Sequence, residues 1–333
     1  MSEHIHVLEL GWEFPPYFTG GLGPAVYGLS KALSKEVHLT IIVPRSDAKF
    51  TVNRVNVIGL NQFYFYDETA TLHFKSKFGD RHEKLIELSF RHTNFSAAEA
   101  RDLLMDEDSY GPNLMRKVEV YSEMVTQLSK HLYFDLVHAH DWLTFQAAMR
   151  LKYATAKPLL VHIHSLETDR SQPDTRNTVY DIEKHAMEQA DRVLPVSNFT
   201  KDCIVRLYLI PSEKIFPVHN GIRPVRKYRI EKNTNEKWVL FFGRITRQKG
   251  PDFLWETAVK LSKSMDNIRF YIAGTGDLLN RLKDKLNESG ISHNVVFTGH
   301  LKKEELQNLL AQTDVYFMPS ISEPFGLSAV EAT

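Results

Sequence analysis

A single cysteine, Cys203, stands in 333 residues, so no disulfide joins two parts of this chain. Neither sign of charge is in excess. The 41 Lys and Arg balance 41 Asp and Glu, and without a general field an anionic ligand has to be held by local donors. Nucleic acid is therefore not expected as a partner. No apolar run approaches the roughly 18 residues of a transmembrane segment, and the opening MSEHIHVLEL has neither the cationic nor the apolar region of a signal peptide. The cytoplasm is the expected compartment. The basic stretch HFKSKFGDRHEKLIELSFRH reads as a solvated face.

What the chain does have is alternation. Short apolar runs (HIHVLEL, VHLTIIVP, FDLVHAH, PLLVHIHS, DRVLPVS, KWVLFFG, NIRFYIAG, NVVFTG and DVYFMPS) are separated by amphipathic stretches. Runs so rich in Val, Ile, Leu and Phe read as strands buried on both faces, and the repeat of strand, loop and helix predicts an α/β chain with parallel sheets. Leu22, Val26, Leu29 and Leu33 would form one apolar helical stripe, and Leu301, Leu306, Leu309 and Leu310 another. The polar stretch at 221–236 separates two series of strands. It predicts two domains, 1–222 and 223–333, the second notably short.

Four stretches carry candidate chemistry. ELGWEFPPYFTGGLGPAVYGLSKAL follows the first strand and opens the first helix; Gly20, Gly21 and Gly23 would allow a sharp turn and free amides facing an anion, or simply a structural turn. A dinucleotide fingerprint is not matched, because Val26 stands where its third glycine would be. In FDLVHAHDWLT and LVHIHS, the pairs His138, His140 and His162, His164 each share a strand face near a strand end. Metal ligation competes there with polar lining of a cleft, and with no cysteine or third ligand cluster nearby no metal is expected. In FFGRITRQKGPDF, Arg244 and Lys249 follow a strand and precede a helix starting near Pro251, placed to neutralise a diphosphate. IAGTGD then adds Gly274 and Gly276 for close approach of a ligand. In SEPFGLSAVEAT, Glu323 lies before Pro324 in a loop, Gly326 and Leu327 begin a helix, and Glu331 falls in its early turns. Amides for phosphate between two carboxylates for hydroxyls suit a sugar linked to a nucleotide.

Taken together, EFPPYFTGGLG, HAHDW, HSLETDRS, GRITRQKG and EPFGLSAVEA resemble, in that order and over essentially the whole chain, the retaining glycosyltransferases of family 4 related to glycogen synthase. The resemblance implies the GT-B fold, two Rossmann-like domains whose parallel sheets face a cleft. It implies a hexosyltransferase that uses an ADP-, UDP- or GDP-sugar donor and a glycan acceptor, an α-glucan in the first instance, without cofactor or divalent metal. Residue by residue, it implies that Gly20, Gly21 and Gly23 contact the donor phosphates and acceptor, and that His164 lies against the transferred sugar. Arg244 and Lys249 would hold the departing diphosphate, with Gly274, Gly326 and Leu327 beside the donor. Glu323 would bind sugar hydroxyls and Glu331 the ribose, while His140, Asp141 and Trp142 would lie on the acceptor side.

The chain departs from that pattern in three places. Phe18 stands where bacterial glycogen and starch synthases carry lysine, and Arg223 where an acidic residue is frequent. The sequence ends at Thr333, two residues after Glu331, whereas the family continues for several helices. A truncated second domain of reduced stability and weak or absent activity is the corresponding expectation. Two other readings fit the same residues: a non-catalytic sugar or nucleotide binder, and a glycan phosphorylase or nucleotide-sugar epimerase of like architecture.

Overall fold

The computed structural model describes residues 4–18, 20–47, 49–78, 83–222, 230, 232 and 234–333. Arg223 and most of the 221–236 stretch lie outside the described residues. Contacts divide the chain into two units, Met1–Glu167 with Asp174–Gly221, and Thr168–Pro173 with Ile222–Thr333.

In chain order the first unit contains β1 His6–Leu10, α1 Leu22–Leu33, β2 His38–Val43, β3 Val55–Gly59, β4 Tyr64–Tyr66, β5 Thr69–Lys75, β6 Glu83–Ser89, α2 Ala97–Met105, α3 Leu114–Ser129, β7 Leu136–His140, α4 Trp142–Thr155 and β8 Leu159–Ile163. The short α5, Glu167–Arg170, crosses into the second unit, and α6 Thr178–Gln189, β9 Arg192–Pro195 and α7 Asn198–Cys203 return to the first. Six strands pair in the order β3-β2-β1-β7-β8-β9, every pair parallel. Such a sheet needs cover on both faces, which is why Leu39, Ile41, Ile42 and Val43 on β2 are all fully buried.

With β4 to β6 set aside, this is the doubly wound order 3-2-1-4-5-6. Successive connections go outward one way from β1 and then the other way from β7. The gap between the carboxyl ends of β1 and β7 is thus where a ligand crevice belongs.

Two local findings differ from the pattern in the sequence. The basic stretch read as a solvated face is largely exposed, and it also forms much of an antiparallel sheet, β4-β5-β6, in which Ala70, Leu72, Ile86 and Leu88 point into the core. On α1 the fully buried positions are Gly23, Val26 and Ser30, while Leu22, Leu29 and Leu33 are half-buried. Small side chains let this face sit close to the sheet, and Ser30 meets a polar group there.

The second unit contains β10 Lys237–Phe242, α8 Pro251–Ser262, β11 Ile268–Ala273, α9 Leu279–Glu288, β12 Val295–Gly299, α10 Lys303–Gln312, β13 Val315–Tyr316 and α11 Leu327–Ala332. Pro251 opens α8 at a position where its missing N–H has no helical partner to lose. The strand order is β12-β11-β10-β13, again all parallel. Its core is formed by Val239, Phe241, Ile245, Leu254, Phe270, Ile272 and Leu282. Here the direction of winding reverses between β10 and β13, so the loops after those two strands flank the crevice position. Among the described residues, no helix is long and apolar enough to cross a membrane.

Candidate functional site

In the first unit, the loop after β1 is held by Glu13. Its Oε2 accepts from the backbone N–H of Gly20 at 3.4 Å and of Gly23 at 3.2 Å, and its Oε1 accepts from the Tyr110 hydroxyl at 2.6 Å. The amides of Gly20 and Gly23, expected free for an anion, are therefore taken up by a carboxylate of the same loop. Gly21 precedes α1 directly. At Gly23 a Cβ would lie 2.3 Å from Cδ1 of Phe18. The glycine makes room for the residue that stands in place of the family's lysine.

On the other side of the same turning point, β7 is followed by Asp141. Its φ of 57° is uncommon outside glycine, and a strained backbone of this kind marks a position fixed by its surroundings. Asp141 starts α4 without capping it, because Oδ1 accepts instead from the backbone N–H of His164 at 2.7 Å. The Asp141 N–H in turn donates to the His162 carbonyl at 3.0 Å. One side chain thus ties the start of α4 to the end of β8.

His140 and Trp142, expected on the acceptor side, are interior residues. Trp142 is buried in the main core. His140 is fully buried, with Nε2 2.8 Å from Glu9 Oε1 and Nδ1 3.0 Å from His164 Nε2. With both ring nitrogens engaged, it supports His164 and cannot itself touch an acceptor. Strand register assembles this group: Glu9 lies beside His138, and His140 beside His162. His138 Nε2 sits 3.2 Å from His162 Nδ1.

Burial pushes His138 and His140 down to about 3, the neighbouring His140 adding to the effect on His138 while Glu9 opposes it. Burial and the adjacent imidazoles also hold His162 and His164 well below the ordinary histidine value. All four rings are neutral at pH 7. Burial likewise raises the Glu9 carboxyl, against the pull of His138 and the Ser30 hydroxyl. Nitrogens of His138, His140 and His162, three of the four histidines weighed as metal ligands from the sequence, come within 4.8 Å of one another, a grouping with the donor types of a zinc site. The 3.2 Å and 3.0 Å histidine contacts are those of N–H···N hydrogen bonds.

Glu9 was not singled out from sequence. The available signal was an acidic residue inside the buried run HVLEL, which demands a partner.

In the second unit, the loop after β10 carries the exposed Arg244 and a short turn, Arg247–Lys249. Lys249 Nζ donates to Glu323 Oε2 at 2.6 Å, and the Ser320 hydroxyl donates to the same oxygen at 3.0 Å. The pair joins the loops that follow β10 and β13. Ser322 Oγ donates to Asp169 Oδ1 at 2.6 Å and Arg247 to the Ser171 carbonyl at 2.7 Å, which explains why Thr168–Pro173 belongs with this unit. Glu331 is exposed on α11. Burial raises the Tyr316 phenol, its hydrogen bond with Ser328 opposes the rise, and the charges of Glu323 and Glu331 add to it.

Glycines here set backbone against backbone. Gly250, with φ +67°, lies where a Cβ would be 2.1 Å from the Pro319 carbonyl oxygen. Gly274, expected to approach a ligand, instead packs on Gly243, whose carbonyl oxygen would be 2.0 Å from a Cβ. Gly326 precedes α11, next to the Glu323 side chain, and Leu327 is the first residue of that helix.

Comparison with known proteins agrees with this layout. Residues 6–210 match the starch synthase catalytic domain family, and residues 224–333 match glycosyl transferases group 1. An uncharacterised glycosyltransferase of Methanocaldococcus jannaschii is 31% identical over 60% of this chain and 55% of its own length. A glycogen synthase of Mycobacterium tuberculosis is 25% identical over 98% of this chain and 75% of its own. The chain therefore spans little more than half of the first relative and three quarters of the second.

Among solved structures, a sucrose-phosphate synthase of Thermosynechococcus elongatus superposes with a TM-score of 0.72 at 19% identity, covering 98% of this chain and 78% of that one. The catalytic domain of starch synthase IV from Arabidopsis thaliana, bound to ADP and acarbose, gives 0.67 at 17% identity, covering 99% and 81%. HepE of Anabaena with UDP-glucose gives 0.67 at 16%, covering 99% and 78%. At these identities the superpositions establish the fold. With a family model covering more than half of its length, this chain belongs to the starch synthase catalytic domain family and is a glycogen-synthase-like glycosyltransferase of GT-B fold.

Proposed function

We propose that this chain transfers a hexose, glucose in the first instance, from a nucleoside diphosphate sugar to a glycan hydroxyl with retention of configuration. The observation that carries the reading is the 2.6 Å contact of Lys249 with Glu323 at the reversal between β10 and β13, with Arg244 on the same loop. A cation and a hydroxyl-binding carboxylate stand side by side where an open α/β sheet takes its ligand.

Breaking the bond between the anomeric carbon and the diphosphate leaves negative charge on the departing oxygen. Arg244 and Lys249 offset that charge, Arg as a fork and Lys as a point charge, and so lower the barrier. Glu323 accepts from sugar hydroxyls and Glu331 from the ribose, with Gly326 and Leu327 beside the phosphates. In the other unit, His164 meets the transferred sugar and Asp141 holds its backbone in place, on the acceptor side, while the loop at Gly20, Gly21 and Gly23 lies against donor and acceptor. The acceptor hydroxyl attacks from the face the diphosphate leaves, and its proton passes to a departing phosphate oxygen. No nucleophile of the enzyme and no metal or cofactor enters this scheme. One structural neighbour holds ADP and another UDP-glucose, so ADP- and UDP-sugars are the first donors to try, with GDP-sugars third. The proposed acceptor is an α-glucan, and the proposed setting is the cytoplasm.

The test is proton NMR of the product formed from ADP-, UDP- or GDP-glucose and a malto-oligosaccharide. Appearance of a new α-linked anomeric signal supports the reading. A β-linked product would refute retention, and no consumption of any donor would refute the transferase.

A further inference from the structure

The group around Glu9 can be ordered by counting protons. Ser30 has one hydroxyl proton and two oxygens in reach, the Val26 carbonyl at 2.8 Å and Glu9 Oε2 at 2.6 Å. Glu9 Oε1 lies 2.8 Å from His140 Nε2, and His140 Nδ1 lies 3.0 Å from His164 Nε2. The line ends at His164 Nδ1, a buried nitrogen without a hydrogen-bond partner.

If Glu9 is protonated on Oε2, it donates to Ser30, Ser30 donates to Val26, and every contact carries one proton. Oε1 then remains an acceptor. If Glu9 is ionised, Oε1 is an acceptor again. Only a proton on Oε1 would reverse the line, and that neutral form has one hydrogen bond fewer than the neutral form protonated on Oε2, because Ser30 then has a single proton for two oxygens. In both favourable states His140 must carry its proton on Nε2, so its Nδ1 is bare. His164 must then carry its proton on Nε2, so its Nδ1 is bare as well.

We propose that Glu9 is a positioning residue which, through His140, fixes His164 in the Nε2–H tautomer and so presents its Nδ1 lone pair as the acceptor for a hydroxyl of the transferred sugar. The inference rests on the reading that His164 meets that sugar. It assigns Glu9, Ser30 and His140 a role in the reaction although none touches substrate. It also accounts for a carboxyl group buried in the middle of a strand, which otherwise only costs stability.

Glutamine reproduces the protonated form of Glu9, its amide donating toward Ser30 and its carbonyl accepting from His140. Methionine has similar length and can do neither. The experiment is long-range proton–nitrogen NMR of the full chain with labelled histidine at pH 7.5, joined to donor kinetics. The wild type should show His140 and His164 protonated on Nε2 alone. Glu9→Gln should keep that pattern, with kcat within about threefold of the wild type. Glu9→Met should give mixed tautomers at His164 and a kcat lower by about tenfold, the loss of one hydrogen bond in the transition state. The wild-type spectrum needs no variant to fold. A wild-type His164 protonated on Nδ1, with normal turnover, would overturn the relay and leave the transferase reading intact. Mixed tautomers in Glu9→Met at unchanged kcat would overturn it too. A wild type that turns over no donor would sink the reading beneath it, while the tautomer could still be read.

Discussion

At the turning point of the first sheet, between β1 and β7, the polar groups are buried and uncharged: four neutral imidazoles around a carboxyl whose pKa is raised. At the turning point of the second, between β10 and β13, they are ionic and in contact with solvent, with Lys249 and Glu323 about one fifth exposed. The two sheets wind alike on either side of their first strand. They have nonetheless been given opposite electrostatics. A buried hydrogen-bond network with no net charge orients atoms well but responds badly to protons. An accessible ion pair orients less and can exchange its carboxylate for a phosphate. Topology marks the end of each sheet where an open α/β fold takes a ligand, and the dielectric around the strand ends sets the chemistry found there.

Acid should separate the two regions most strongly. A histidine whose folded pKa lies below its unfolded value of 6.5 contributes stability that is present above pH 6.5 and lost as pH falls. Between pH 6.5 and 5 the loss from His138 and His140 is roughly 3 kcal/mol, since each withheld proton costs up to about 1.4 kcal/mol per pH unit and the unfolded histidines are half protonated at the upper end of that range. Glu9 acts in the opposite sense: its raised pKa contributes stability at low pH that fades as pH rises through the folded value. It offsets only part of the loss. Urea unfolding at pH 7 and pH 5, read separately from Trp12 and Trp142 in the first unit and Trp238 and Trp255 in the second, should show the first unit weakening far more. Equal weakening would break the contrast.

Replacing Lys249 by methionine should leave both unfolding transitions nearly in place and slow transfer by about 10²–10³-fold, the usual cost of removing one donor to a developing oxyanion. Steady-state rates alongside a melting curve check this. A variant that melts much earlier would make Lys249 structural instead.

The loops offer a smaller contrast. Alanine at Gly250 meets a positive φ and a backbone carbonyl that cannot move aside, so a loss of about 1–3 kcal/mol is expected in thermal unfolding. Alanine at Gly23 meets the ring of Phe18, which is 43% exposed and can swing away. The expected loss is under about 1 kcal/mol. If the order were reversed, Phe18 would have to be a fixed part of its loop.

Nine parallel strands were legible because strands buried on both faces are written as unbroken apolar runs. β3 was passed over because Asn56 interrupts its short run, and that residue is buried. The antiparallel sheet was missed because its alternation lies under charges: Lys84, Leu85 and Glu87 are exposed, and only Ile86 and Leu88 betray β6. At the site, the pairing of Lys249 with Glu323 was foreseeable in kind, as both follow strand ends in one domain. The order of the histidines was not. It depends on the register that sets Glu9 beside His138 and His140 beside His162, which no spacing within one strand can express. The displaced roles of His140 and Trp142 have the same cause, since a motif places residues at a strand end without saying which way each one points.

The claim on which all this rests is that the second unit holds a nucleoside diphosphate through Lys249 and Arg244. Calorimetric titration of the chain with ADP and with UDP, repeated on Lys249→Met and Arg244→Met, tests it most directly. The account predicts saturable binding of at least one of the two nucleotides, weakened about tenfold or more in each variant, as loss of a charge-assisted bond requires. Binding that both variants leave unchanged would contradict it, as would no binding of either nucleotide by a wild-type chain that is folded.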